Sequence, residues 1–197
     1  MSHLAPAFCP PACGFFGKVP AQPDFVHQGL AESTLTALDL WCRESLLEIS
    51  KLCGAHWRNL WMVAPVWSFL LPAGVWGPNA LLGAWMPSMD TVGRCYPFIL
   101  CACAPTLSLL TTGGAWLEQS TQAALACVVN DQPTDTLHTS LTTPAPPTPL
   151  PVALGWWTQG GPFVRPAQAT TTRLPPPLLV TDKAADTPSA YSSTEVR

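Results

Sequence analysis

The chain has 197 residues, of which 48% are hydrophobic and only 11% charged, with a formal net charge of −3. That length suits one domain with tails, at roughly 100–200 residues per domain, and the charge excludes a nucleic-acid backbone binder, which needs a dense positive surface. Twenty-three prolines exclude an all-helical bundle, because an interior proline removes a helix hydrogen bond and clashes with the preceding turn.

Residues 1–13 are rich in Pro, Ala and Cys, without periodicity, and are expected to form a loose, flexible N-terminus. Gly14 to Pro20 then reads as a short apolar strand, bounded by glycines and closed by a proline. The following loop is stiffened by Pro20 and Pro23 and carries Lys18 and Asp24 at its ends. These two charges make either a local salt bridge on a solvated loop or a docking edge for a partner, since a stiff loop loses little entropy on binding.

Residues 30–53 hold the clearest helix. Leu35, Leu38, Cys42, Leu46, Ile49 and Cys53 recur at three- and four-residue steps and build one apolar stripe. Asp39 and Arg43 lie four apart, and Glu48 and Lys51 three apart, on the polar side. Ser33 or Thr34 suits the N-cap and Gly54 the residue after the C-terminus.

The middle of the chain is nearly neutral. No charge falls among the 31 residues between Arg58 and Asp90, or the 23 between Arg94 and Glu118. A spanning helix needs about 20 apolar residues in one piece. Here Pro65, Pro72, Pro78, Pro87, Pro97 and Pro105 cut the runs into strand-length pieces, so a buried sheet is expected and no integral membrane segment. Strands are expected at Leu60–Val63, Val66–Leu71, Ala80–Met86 and Tyr96–Ala104, with a hairpin turn over Gly74–Asn79.

Asp90 and Arg94 interrupt this apolar stretch. Charges between buried strands are costly unless paired and hydrogen-bonded. One reading has Asp90 capping the turn and pairing with Arg94, with Gly93 supplying an unusual backbone angle. The other makes Ser88, Asp90 and Arg94 a polar recognition spot at a strand end.

Residues 115–129 suit a second helix. Residues 131–151 are Pro/Thr-rich and read as an extended linker or surface loop. Val152–Thr158 returns to a strand pattern, in which the adjacent Trp156 and Trp157 point to opposite faces. Residues 161–197 form a Pro/Ser/Thr-rich tail, expected to be mostly disordered. Nine tryptophans are unusual for this length; most belong in or around the core, although the type is enriched at interface hot spots.

The eight cysteines form no C-x-x-C pair and no Cys/His set with zinc spacing, and are read as reduced thiols. No phosphate-binding glycine loop and no G-x-S-x-G elbow is present. The residues therefore nominate no catalytic group, cofactor or metal.

Four ordered segments resemble one family. Gly14-Phe15-Phe16-Gly17-Lys18-Val19-Pro20, followed by Asp24-Phe25-Val26, is similar to the opening of the TagF (ImpM) family. Ala64-Pro65-Val66-Trp67-Ser68-Phe69 resembles its A-P-x-W-x-F segment. Residues 83–97, with Pro87-Ser88, Asp90, Val92-Gly93-Arg94 and Tyr96-Pro97, resemble its G-x-x-x-P-S-x-D-x-V-G-R-x-[FY]-P block, and Gly155-Trp156-Trp157 a later W-W piece. Departures from the pattern are Pro23 for the usual Gly before Asp24, His27-Gln28 for a basic residue, and a short proline-rich stretch after Trp157.

The resemblance implies a TagF-like α+β domain over 14–160, a single domain with a largely antiparallel central sheet flanked by helices. It implies a non-enzymatic cytoplasmic accessory protein of the bacterial type VI secretion system, regulating the machine by post-translational repression through protein–protein contacts. Partners would be secretion components, the forkhead-associated scaffold protein among them, met at the inner face of the membrane. Candidate contact residues are Lys18, Asp24, Phe25, Ser88, Asp90, Arg94, Trp156 and Trp157. Alternatives are a phosphatase-like hydrolase of the same phosphorylation pathway, with Asp24 and Asp90 its only nominable carboxylate pair, and a membrane-peripheral structural adaptor.

Overall fold

Proline and glycine punctuation divides the apolar chain into short strands, and all of them join one sheet. The computed structural model describes residues 6–158 and the backbone of 164–165. The strands are β1 (Ala12–Gly17), β2 (Val26–Gln28), β3 (Trp67–Leu71), β4 (Ala80–Met86), β5 (Phe98–Ala104), β6 (Gly155–Thr158) and β7 (Val164–Arg165). They pair in the order β2-β1-β5-β4-β3-β6-β7, and every pairing is antiparallel. The helices are α1 (Glu32–Cys53), α2 (Trp57–Met62), α3 (Gly114–Val129) and α4 (Thr134–Thr142).

The long neutral stretches are explained by cover on both faces. β3, β4 and β5 are buried at every residue. Leu70, Leu82, Ala84, Met86, Phe98, Leu100 and Ala102 share one core with Leu117 and Ala124 of α3 and Leu137 and Leu141 of α4. The alternate residues Trp67, Phe69, Leu71, Leu81, Trp85, Ile99, Cys101 and Cys103 share the other with Leu38, Cys42 and Ile49 of α1 and Trp61 of α2. A strand covered on both sides has no use for polar alternation and reads as a continuous apolar run. The second core is dominated by aromatic rings, and each fully buried Trp withdraws roughly 150–250 Å² from water, worth about 4–6 kcal/mol at about 25 cal/mol per Å². Among the described residues no helix is long and apolar enough to cross a membrane.

The expected α+β architecture with a largely antiparallel sheet is present, and the β3–β4 turn closes as the glycines require. Gly74 and Gly77 hold φ of 94° and 107°, and the Gly74 N–H donates to the Gly77 carbonyl at 2.8 Å. Four local expectations are corrected. Leu60–Val63 is not a strand but lies at the end of α2, where Trp61 turns into the aromatic core. The N-cap of α1 is Ala31, without a side-chain cap; Ser33 and Thr34 lie inside the helix, Thr34 buried.

The 131–151 stretch is not extended throughout. It contains α4, whose Leu137 and Leu141, one turn apart, are fully buried. The loose N-terminus does not reach residue 8: Phe8 is buried against Trp116 and exchanges backbone hydrogen bonds with Ala145 at 2.7 and 3.0 Å. The tail expected over 161–197 lies outside the described residues, apart from β7.

Candidate functional site

Between β4 and β5 the chain leaves the sheet in a tight hairpin, residues 87–97, and its organising group is Asp90. Only 2% of Asp90 is exposed. Its Oδ2 accepts from Lys18 Nζ at 2.7 Å and from Arg94 Nε at 2.6 Å. Its Oδ1 accepts the backbone N–H groups of Val92 at 3.1 Å and Arg94 at 2.9 Å. A carboxylate offers about four lone-pair positions, so all are taken by the protein. Gly93, with φ of 78°, closes the turn by donating its N–H to the Asp90 carbonyl at 2.9 Å. Burial raises the Asp90 pKa, but hydrogen bonds from Lys18 and from the Arg94 backbone and side chain, together with the Lys18 charge, outweigh it and hold the carboxyl well below the usual range.

The surroundings lock the hairpin to three elements. Trp61 of α2 donates its indole N–H to the Ser88 carbonyl at 2.9 Å, and the Tyr96 N–H donates to the same oxygen at 3.0 Å. Arg94 Nη2 donates to the Pro23 carbonyl at 3.0 Å, which ties the hairpin to the loop after β1. The Tyr96 hydroxyl donates to Asp39 Oδ1 at 2.9 Å, and Asp39 pairs with Arg43 on α1. Burial, then the neighbouring Cys42 and the Asp39 carboxylate, push the Tyr96 phenol up, so it stays a donor. Phe25 stacks on Phe16, meets Tyr96 edge-on with centroids 4.7 Å apart, and lies 4.8 Å from Lys18 Nζ, yet remains 45% exposed.

Asp90 caps the turn and pairs with Arg94, as the first reading expects. The local Lys18–Asp24 salt bridge is replaced: Lys18 turns inward to Asp90, and Asp24 is exposed. Lys18, Ser88, Asp90 and Trp157 are buried and present no contact surface. Trp156 and Trp157 point to opposite faces as expected, but each enters a core. Trp157 joins the aliphatic side, while Trp156 packs on Trp41, Trp76 and Phe69. Asp24, Phe25 and Arg94 face water. Sequence reasoning missed Val92, 70% exposed at the hairpin tip, and Trp61, whose single indole donor was hidden by reading its segment as a strand.

Trp61→Phe tests the α2 anchor. It removes the donor to the Ser88 carbonyl and leaves a void, for a combined loss of about 2–3 kcal/mol. Urea unfolding is expected to show a lower midpoint with an unchanged slope.

An antiparallel α+β sandwich with a charged hairpin pinned by a buried carboxylate is thus the class that fold and site define. The chain belongs to the family described as TagF N-terminal domain, Type VI secretion system-associated, which matches residues 14–143. It is accordingly a type VI secretion system-associated accessory protein, as the motif resemblance implied. Among solved structures, PA0076 from Pseudomonas aeruginosa PAO1 is similar, with 28% identity and a TM-score of 0.62. The match covers 70% of this chain and 64% of that one, so this chain spans less than two thirds of its relative. No curated protein matches the chain. Among the described residues no group of three or more His, Cys, Asp or Glu is placed to hold a metal ion.

Proposed function

We propose that the chain is a non-enzymatic cytoplasmic regulator of the type VI secretion system, a post-translational repressor that acts by holding a protein partner against the outer side of the 88–95 hairpin. The observation that carries this is the fully engaged Asp90. With all its acceptor positions filled by Lys18, Arg94 and two amides, it has no lone pair left for a metal or for a substrate proton. Its work is to hold other groups still. Arg94 is fixed at both ends by Asp90 and Pro23 while its side chain stays 61% exposed. Phe25 is wedged on Phe16 and Tyr96. Arginine and aromatic side chains dominate interface energetics, and groups already ordered lose little entropy on docking.

The forkhead-associated scaffold protein, at the inner face of the membrane, is the partner that family resemblance favours. Val92→Asp and Arg94→Gln alter the exposed side and leave the Asp90 amide contacts in place. Both are expected to keep the melting temperature within a few degrees, to weaken pull-down of the purified scaffold about tenfold, and to release secretion in cells. Unchanged capture and unchanged secretion in both variants would remove the hairpin from the interface. Turnover of a phosphothreonine peptide with added divalent metal would instead favour the hydrolase alternative.

A further inference from the structure

β2 ends the sheet on its side and pairs only with β1. The Lys18 N–H donates to the Pro97 carbonyl beside β5. By the alternation of an antiparallel ladder, Phe16 therefore turns its backbone groups to β5, while Phe15 and Gly17 turn theirs to β2. Their partners Gln28 and Val26 face β1, and His27 between them presents its N–H and C=O to the outside. Neither group has a hydrogen-bond partner among the described residues. β2 is three residues long, with Pro23 shortly before it and Gly29, at φ of 77°, directly after it. Such a short edge accepts a short strand and resists open-ended pairing.

Along this edge, on the face covered by α1, runs a groove of about 480 Å³. Phe16, Phe25 and His27 form its sheet wall, and the first turns of α1 form the other. An open strand edge beside a helix-walled groove is the geometry by which an extended peptide adds a strand. Main-chain bonds then supply affinity, and the groove takes alternate side chains.

The charges around the groove favour a basic occupant. Asp39 accepts from Arg43 and from the Tyr96 hydroxyl, and Asp90 faces Lys18 and Arg94. Glu32 on the helix wall and Asp24 just before β2 are exposed, with no cation within 4.0 Å among the described residues. Four carboxylates thus stand against three cations, with His27 counted neutral, and both unpaired groups are acidic. Glu44, next to Arg43 on α1, adds to the same sign. Phe16, Phe25 and Leu35 offer a floor for a long aliphatic stem, and Glu32 a partner for its charged end. Residues 166–197 follow β7, at the opposite edge of the sheet, six strand spacings or roughly 29 Å away. That placement favours a partner's segment over the chain's own.

We propose that the β2 edge receives an extended segment of a partner protein as an added strand. The segment pairs with the His27 N–H and C=O and seats a Lys or Arg side chain in the groove against Glu32. The proposal rests on the reading of the chain as a contact protein and names the chemistry of what it holds. The edge adjoins the hairpin surface through Phe25 on Tyr96 and through Arg94 on the Pro23 carbonyl.

The test pans a phage-displayed random dodecamer library on the full chain, with counter-selection on His27→Pro. Proline removes an N–H that the sheet does not use, and edge strands tolerate it, so the variant is expected to fold, as circular dichroism would verify. Enriched peptides are expected to carry Lys or Arg within a β-branched or aromatic stretch. A synthetic representative, followed by fluorescence anisotropy, is expected to bind about tenfold more weakly to His27→Pro and within about twofold to His27→Ala, which keeps the N–H. Glu32→Gln is expected to weaken it about three- to tenfold, with affinity falling as salt rises. N-methylation of alternate peptide nitrogens is expected to abolish binding in one register and spare it in the other; this pair and Glu32→Gln carry the test if His27→Pro does not fold. No enrichment, equal binding to a folded His27→Pro, enriched peptides without Lys or Arg, or binding spared in both N-methyl registers would overturn the proposal. A concentration-dependent dimer dispersed by His27→Pro would overturn it in favour of two paired β2 edges. Displacement of the peptide by one of the chain's own residues 173–182 would overturn it in favour of internal occupation. Retained pull-down and control of secretion in His27→Pro would sink the edge but leave the hairpin reading standing. Unchanged control in Val92→Asp and Arg94→Gln, with control lost in His27→Pro, would keep the edge and remove the hairpin.

Discussion

Replacing Asp90 by Ala is expected to lower the melting temperature by on the order of 10 °C at neutral pH, because removing one member of a buried ion pair leaves the other charge without compensation. The stranded group is Lys18, itself buried and with its ammonium directed at Oδ2. Two backbone N–H groups, of Val92 and Arg94, lose their acceptor in the same change. Asp90→Asn separates these contributions. Its amide oxygen still accepts from the two N–H groups, while the charge facing Lys18 is gone. Differential scanning calorimetry is expected to rank wild type above Asn above Ala, with Ala also raising proteolytic cleavage between residues 88 and 95. Equal melting temperatures for all three would show that the carboxylate does not organise the hairpin.

The pH dependence carries the same signature. The folded-state pKa of Asp90 lies below its unfolded value of about 3.9. Stabilisation is therefore fully present above that value and lost as pH falls toward the folded pKa, since the unfolded chain takes up the proton first. The gap in melting temperature between wild type and Asp90→Asn is expected to be constant from about pH 7 to pH 5 and to narrow steadily below about pH 4. A gap that widened on acidification would reverse the assignment.

What was legible in the chain follows from where local signals and tertiary context agree. β4 was readable at both ends because Asn79 precedes it in a glycine turn and Pro87 follows it. α1 was readable from its stripe, and Gly54, with φ of 54°, ends it. α4 was not, because its nine residues hold only two apolar side chains, and four threonines among them suggest a loop. The packing of Leu137 and Leu141 under β1 overrides that weak propensity. Leu60–Val63 failed for the opposite reason: a four-residue apolar run has no period, and only the i,i+4 pair Trp57 and Trp61, with rings 6.3 Å apart, marks it as helix. At the site, the Asp90–Arg94 pair was readable because both lie in one turn. Lys18 was not assigned to it, because its partner is 72 residues away and reaches it only through the β1–β5–β4 register.

Gly83→Ala is expected to remove soluble protein at 37 °C, or to lower stability by about 3 kcal/mol or more where protein survives. Gly83 is central in β4, opposite Phe69 of β3 and Cys101 of β5. A β-carbon there would stand 2.1 Å from the Leu100 carbonyl oxygen, 2.6 Å from Phe69 Cζ and 2.9 Å from Cys101 Cβ. The space is filled because Phe69 leans across the strand to meet Trp76 and Trp156, with ring centroids 5.2 and 5.0 Å away. Glycine here is therefore required by the close approach of the neighbouring β5 backbone and of the aromatic face, not by a left-handed backbone angle of its own. Phe69→Leu on the Gly83→Ala background relieves the ring contact but leaves the Leu100 oxygen, which is backbone and held in the β4–β5 ladder. Rescue is expected to be partial at most, read as the soluble fraction on expression and the urea midpoint of what is recovered. Full rescue by Phe69→Leu would mean that side-chain crowding alone excludes a methyl group. The two central strands would then be able to part enough to admit it, against the close approach that keeps this neutral stretch of chain in a sheet.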